Sequence, residues 1–165
     1  MPTYRRTTRV PAPIDEVWTF HSEIDGLQEL TPDWMNLEID GVEGPDGTAD
    51  PEVLVEGSRI RMSIRPFGVG PRQRWISRIV EREPDRREAV GPSARFVDVM
   101  GGGPFRRWEH THAFYEDGEE TLVVDTVDYR LPLGAFGDVI GPLAKIGFEG
   151  VFRDRHERTI DRFEP

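Results

Sequence analysis

Between Trp108 and Phe114 the chain alternates with a period of two, and this limits what the region can fold into more than any other feature. In an extended strand successive side chains point to opposite faces, so Trp108, His110, His112 and Phe114 share one face. Arg107, Glu109, Thr111, Ala113 and Tyr115 share the other. Two large aromatics and two imidazoles on one face suit neither plain core nor plain surface. The pattern predicts the wall of a ligand cavity, with the imidazoles as polar points on an aromatic lining.

The neighbouring segments supply the sheet that such a strand needs. Tyr4 to Val10 is β-prone and ends at Pro11, which predicts a first strand. Ile14, Val17, Trp18 and His21 then recur at helical spacing, and Asp15 and Glu16 stand in the first turn, where the helix dipole favours negative charge. Ser22 to Leu30 predicts a second short helix, and Trp34 to Val42 a second strand. Glu43 to Gly57 is rich in Gly, Pro and acids and predicts a long exposed loop. Ser58 to Arg65 alternates, with Ile60, Met62 and Ile64 on one face and arginines on the other. Gln73 to Glu81 follows, carrying Trp75. A charged turn is expected at Glu83 to Arg87, then strands at Arg95 to Met100, around Trp108, and at Glu120 to Arg130. From about Pro142 onward the spacing is helical, with Phe148, Phe152, Arg155 and Thr159 on one stripe. Gly134, Gly137 and Gly141 weaken helix just upstream by about 1 kcal/mol each, which predicts a mobile lead-in that could gate the cavity. Strands in a run, flanked by helices, give an α+β domain in which one long helix covers a curved antiparallel sheet of six or seven strands.

Composition narrows the function classes. At 165 residues the chain is one domain by size. It has no apolar run long enough for a membrane span and no signal-peptide pattern, so a cytoplasmic protein is expected. A net charge of −10 argues against nucleic acid and anionic membranes as partners. There is no cysteine, which removes disulfides and thiolate chemistry. Lys145 is the sole lysine, and with the acidic balance and a mean hydropathy of −0.54 this predicts a GC-rich halophile. Gly101–Gly103 lacks the Gly-Lys-Ser/Thr that a phosphate loop needs, and no Gly-x-Ser-x-Gly elbow is present.

Val10-Pro11-Ala12-Pro13 with Glu16-Val17-Trp18, Gly57-Ser58-Arg59-Ile60, and Gly103-Pro104-Phe105 with Trp108, His110, His112 and Phe114 carry a resemblance. So do Asp125 to Tyr129, Leu131 to Gly134, Phe152 and Arg155. Together they resemble the SRPBCC or START-like superfamily, in its polyketide cyclase/dehydrase-like branch, over essentially the whole chain. The resemblance implies the helix-grip fold and a hydrophobic cavity for lipids, sterols, hydroxylated aromatics or polyketides. Some members of that superfamily are cyclases or carriers, and others are partner-binding domains of the co-chaperone kind. The Glu43–Gly57 insertion and the glycine-rich approach to the last helix depart from the pattern.

A register for the site follows from its turn. Taking Glu116–Glu119 as the loop pairs Tyr115 with Glu120, which sets Phe114 against Thr121, His112 against Val123, His110 against Asp125, Trp108 against Val127 and Arg106 against Tyr129. The turn at Gly101 to Phe105 sets Asp98 near Trp108 and Phe96 near His110. Asp98, His110, His112 and Asp125 then form a polar patch in an aromatic wall. Ile60, Met62, Trp75 and Phe96 from the sheet, with Tyr129, Phe152 and Arg155, complete the expected lining. The first expectation is contact with a hydrophobic or aromatic small molecule. The others are a buried structural pair, acid/base catalysis by His110 with Asp125 in a cyclase or dehydratase, and a metal held by the His110/His112 spacing with an aspartate. On balance no metal and no cofactor are expected, and Arg155 is expected to pair with Asp98 or Asp125 unless it meets a ligand carboxylate. A monomer or homodimer fits equally.

Overall fold

The computed structural model describes residues 2–88, 91–132 and 144–165. Seven strands form one antiparallel sheet: β1 (Thr3–Val10), β2 (Glu38–Glu43), β3 (Arg59–Ile64), β4 (Gln73–Glu88), β5 (Gly91–Gly102), β6 (Arg107–Asp117) and β7 (Glu120–Arg130). Their spatial order is β1-β7-β6-β5-β4-β3-β2, so after β1 each strand lies beside its neighbour in sequence. Helices α1 (Ile14–His21) and α2 (Ile24–Leu30) follow β1, and α3 (Ala144–Phe163) closes the chain. This is the expected sheet with one long helix across it. The proposed gate at Gly134, Gly137 and Gly141, with Leu133 and Pro142, lies outside the described residues.

The short helices form a bracket at one end of the sheet. Val17, Trp18 and His21 are buried on α1, as the spacing predicts. Gly26 on α2 packs so tightly that a Cβ there would stand 1.9 Å from the Phe20 carbonyl oxygen, which only glycine permits. Trp18 meets Phe96 and Phe114 edge-on, with ring centroids 5.8 and 5.6 Å apart. Edge-to-face contact suits the ring quadrupoles and anchors α1 on β5 and β6.

Four segments differ from expectation. Trp34 begins no strand: Asp33–Met35 is a 3-10 turn, and Asn36 in the left-handed region (φ 48°) breaks the chain before β2. The Glu43–Gly57 loop is not wholly exposed, because the Leu54 N–H donates to the Ser22 carbonyl at 2.9 Å and the Leu54 side chain enters the core. The charged run Glu83 to Arg87 continues β4 instead of turning. The register against β5 shifts between Glu83 and Arg86, and that bulge accommodates Pro84, which has no N–H for a ladder. Lastly, the β6–β7 loop is only Gly118-Glu119, with Gly118 at φ 68° as a two-residue hairpin turn requires. Asp117 therefore pairs with Glu120, and every expected partner moves by two residues: Phe114 faces Val123, His112 faces Asp125, His110 faces Val127 and Trp108 faces Tyr129. An even slip keeps each side chain on its expected face of the sheet while its pairings change.

Phe114 is fully buried between α1 and the sheet, whereas Val69 is 74% exposed in the β3–β4 connection. Phe114→Ala is expected to lower stability by about 3–5 kcal/mol through lost burial and a residual cavity. Val69→Ala should stay within about 0.5 kcal/mol. Urea midpoints at unchanged m-value check both, and equal effects would count against this core.

Candidate functional site

The hydrophobic interior is in two parts. One cluster joins α1 to β3–β7 through Val17, Trp18, Ile60, Met62, Phe96 and Phe114, with Trp75 packed at its margin. The other joins α3 to β1 and β7 through Tyr4, Val127, Tyr129, Phe148 and Phe152, with Trp108 and Phe105 alongside. Charged and polar groups lie between them. His112 stacks on Phe96 of the first cluster, with centroids 4.0 Å apart. His110 meets Phe152 of the second edge-on at 5.1 Å.

The pairing of β5, β6 and β7 builds this layer. Asp98 stands across from His110, and Asp125 stands across from His112. Each aspartate is therefore also diagonal to the other histidine, and the two carboxylates flank the two imidazoles, whose centroids are 3.6 Å apart. His110 Nε2 donates to Asp125 Oδ1 at 2.8 Å, the contact expected from sequence but reached diagonally. His112 Nε2 lies 3.3 Å from Asp98 Oδ2, and the Ser77 hydroxyl donates to Asp98 Oδ1 at 3.0 Å. His112 Nδ1 is 3.0 Å from Asp125 Oδ1, but off the line of a good hydrogen bond.

Two further histidines complete the layer, and sequence reasoning did not assign either to it. His156 on α3 brings Nε2 to 2.6 Å from Asp125 Oδ2. Its signal was available, since His156 follows Phe152 by four and falls on the same helical stripe. His21, placed correctly on the buried face of α1, packs against Phe114 with centroids 5.0 Å apart and gives its Nδ1–H to the Val17 carbonyl at 2.8 Å. All four histidines of the chain are thus buried on the concave side. Arg155 is half-buried on α3. No carboxylate of the described residues stands within ion-pair distance of it, and its Nε is buried with no partner, so the expected pairing with Asp98 or Asp125 is not made.

Electrostatics divides the labour. Burial works against the Asp125 carboxylate, but the His112 charge and the bonds from His110 and His156 outweigh it and hold Asp125 well below the usual carboxylate range. Asp98 is likewise lowered, burial being outweighed by the His112 bond and the two imidazoles. Burial and the His112 charge push His110 down, while in His112 the neighbouring carboxylates overcome burial and push it up. Burial also lowers Arg155. Among the described residues, those able to hold a metal are Asp98, His110 and His112, whose donor atoms all lie within 4.8 Å of one another.

Space is scarce. The void beside the layer, lined by His21, Ser22, Leu54, Ile79, Arg82 and Phe96, measures about 10 Å³, room for one water. A larger groove of about 340 Å³ lies outside the sheet between α2 and β2, lined by Gln28, Asp33, Leu37 and Ile39 among others. It gathers none of the histidines.

His21 gives a pH dependence whose sign can be worked out. Burial and the Arg155 charge lower it to about 3, whereas an unfolded histidine takes its proton near 6.5. The stabilisation is therefore complete above pH 6.5 and is lost as pH falls toward 3, on the order of 4–5 kcal/mol in all. His110 acts in the same sense and His112 in the opposite one. His21→Leu is expected to flatten the fall in denaturant midpoint between pH 6.5 and 4, and an unchanged slope would reject this assignment.

Residues 10–159 match the model of the family described as polyketide cyclase/dehydrase and lipid transport. No curated protein is similar enough in sequence to count as a relative. Among solved structures, a protein of Thermus thermophilus is 22% identical, with 99% of this chain and all of that one covered and a TM-score of 0.59. Norcoclaurine synthase of Thalictrum flavum, in complex with dopamine and hydroxybenzaldehyde, is 18% identical over 99% of this chain and 88% of its own, with a TM-score of 0.62. A START superfamily protein of Mycobacterium smegmatis is 17% identical over 95% and 96%, with a TM-score of 0.59. These likenesses carry the fold, and the family match spans nearly the whole chain. The chain is a member of the polyketide cyclase/dehydrase and lipid transport family, with the START-like helix-grip fold.

Proposed function

We propose that this domain binds or carries a small hydrophobic or aromatic molecule bearing an oxygen function, held between the concave sheet face and α3. The observation that carries the reading is the polar layer itself. Four buried histidines, two aspartates and an unpartnered guanidinium nitrogen sit between two aromatic clusters. Burying such groups costs stability that an apolar interior would not lose. A site that is mostly apolar with a few converging polar groups is the common form for small-molecule recognition. Trp75, Trp108, Phe96 and Phe152 supply ring faces, His110 and His112 address a hydroxyl or carbonyl, and Arg155 takes a carboxylate. Norcoclaurine synthase, which shares the fold, is seen with dopamine and hydroxybenzaldehyde, and this supports hydroxylated aromatics as the class to try first. Entry beneath α3 has to contend with the bond between His156 and Asp125, which ties the helix to the sheet. The charge of −10 and the single lysine support a saline cytoplasm as the setting.

Carriage is favoured over catalysis by the imidazoles' surroundings. A general base needs a free nitrogen aimed at substrate. Both nitrogens of His110 face carboxylates instead, Nε2 on Asp125 at 2.8 Å and Nδ1 at 3.6 Å from Asp98.

Titration with 4-hydroxybenzaldehyde and 4-hydroxybenzoate, followed by amide and indole NMR shifts, tests the reading. Saturable shifts are expected at Trp75, Trp108 and the β6 backbone. Arg155→Met should weaken the carboxylate by about ten- to a hundredfold, the worth of one charged hydrogen bond, and leave the aldehyde within about threefold. Absence of saturable shifts, together with no small molecule retained in native mass spectrometry, would turn the reading toward a partner-binding domain.

A further inference from the structure

We infer that Asp98, His110 and His112 form a site for one divalent first-row transition ion, zinc fitting best, with Asp125 as the carboxylate that orients His110. The inference starts from where the ring protons go. Asp125 Oδ1 receives His110 Nε2–H at 2.8 Å and stands 3.0 Å from His112 Nδ1. A neutral imidazole has one N–H, so the proton that His110 gives to Asp125 leaves a lone pair on its Nδ1. That nitrogen faces Asp98 Oδ2 at 3.6 Å, the oxygen that His112 Nε2 also meets at 3.3 Å. A lone pair and a carboxylate oxygen then confront one another inside the protein, and a cation between them removes the repulsion. A proton on His112 closes one of the two gaps and leaves His110 Nδ1 against the carboxylate. A metal ion closes both.

The spacing suits an ion. Donors bound to zinc at about 2.0–2.2 Å in a tetrahedron stand about 3.3–3.6 Å apart. The two nitrogen-to-carboxylate distances, 3.3 and 3.6 Å, lie in that interval. The outer shell is also in place. Ser77 occupies Asp98 Oδ1, so Oδ2 is the oxygen turned to the two imidazoles. Asp125 stands behind His110 at 2.8 Å, and His156 fixes its second oxygen from α3 at 2.6 Å. A carboxylate behind a metal-binding histidine is the arrangement that sets tautomer and basicity at metal sites. Two imidazoles and one carboxylate, without thiolate, suit zinc or a neighbouring first-row ion better than calcium or magnesium, which take oxygen ligands. Three protein ligands leave a fourth position, for water or for an oxygen of a bound molecule. Arg155, which feels the charges of Asp98 and Asp125 and lacks an ion-pair partner, would favour an anionic group there.

The ion would bind the ligand-free domain, so this site and the carriage of a small molecule stand or fall separately. Protein stripped with a chelator is titrated with Co²⁺, whose visible absorption reports tetrahedral coordination, and then with Zn²⁺ in competition. One equivalent of Co²⁺ is expected to give the band, Zn²⁺ to displace it, and either ion to raise the melting temperature. Asp98→Asn and His112→Gln should weaken binding at least about a hundredfold, and Asp125→Asn by about ten- to a hundredfold. On the wild-type protein, histidine side-chain ¹⁵N NMR should show zinc moving His110 and His112 while His21 stays put, a readout that needs no variant to fold. Absence of band and stabilisation at millimolar metal overturns the site. So does binding that leaves the His110 and His112 resonances unmoved, which would assign the ion to surface carboxylates.

Discussion

The Asp125 carboxylate, 2% exposed and met by three imidazoles, is the constraint on which the interior is built. A buried carboxylate is costly unless every oxygen is satisfied. Here Oδ1 takes His110 and faces His112, and Oδ2 takes His156. Two of those histidines belong to β6 and the third to α3, so one charge couples the middle of the sheet to the helix across it. Apolar packing alone would let α3 slide along the concave face at little cost, because hydrophobic contact is not directional. A 2.6 Å bond to a single oxygen fixes both height and rotation. Phe148 and Phe152 are thereby set on Tyr4 and Tyr129 on one side of the bond, and Thr159 is buried on the other.

The same layer ties helix to sheet across the interior through His156 and Asp125, and the void of about 10 Å³ at its margin lies on the α1 side, against His21 and Phe96. Opening the interior means exchanging the bond between His156 and Asp125 for contacts with whatever enters. A guest able to satisfy those groups lowers the barrier to its own entry, whereas a plain hydrocarbon leaves a buried charge unsatisfied. On the proposed reading, selectivity for oxygen-bearing guests rests on the groups a guest has to satisfy.

Much of this was legible in the residues. Strand faces came from strict alternation at Ile60–Met62 and Trp108–Phe114, and an error of two in the hairpin register could not disturb them, because two is the period of the strand. The polar patch was found for that reason even though His110 was set opposite the wrong residue. The error itself came from composition: Glu116 and Asp117 look like turn residues, yet Gly118 makes the turn alone with Glu119 and lets the strand run to Asp117. The β4 extension was hidden in the same way by Pro84, since sequence does not announce a bulge. The stripe shared with Phe152 turns His156 toward the sheet, but the partner it meets there depends on how far α3 lies along the sheet, which no local pattern encodes. Arg155 fell on the expected stripe, but its lack of a partner is a property of distance.

Gathering all four histidines inside has a consequence for the exterior. The side chains left facing solvent are chiefly carboxylates and arginines, whose ordinary titrations lie far on either side of neutrality. The outer charge is therefore nearly constant across the range in which cells adjust their acidity. Contacts made through that surface do not register such changes. A response to proton concentration, if the cell draws one from this protein, has to originate within the layer between sheet and helix, as a change in how firmly α3 is held.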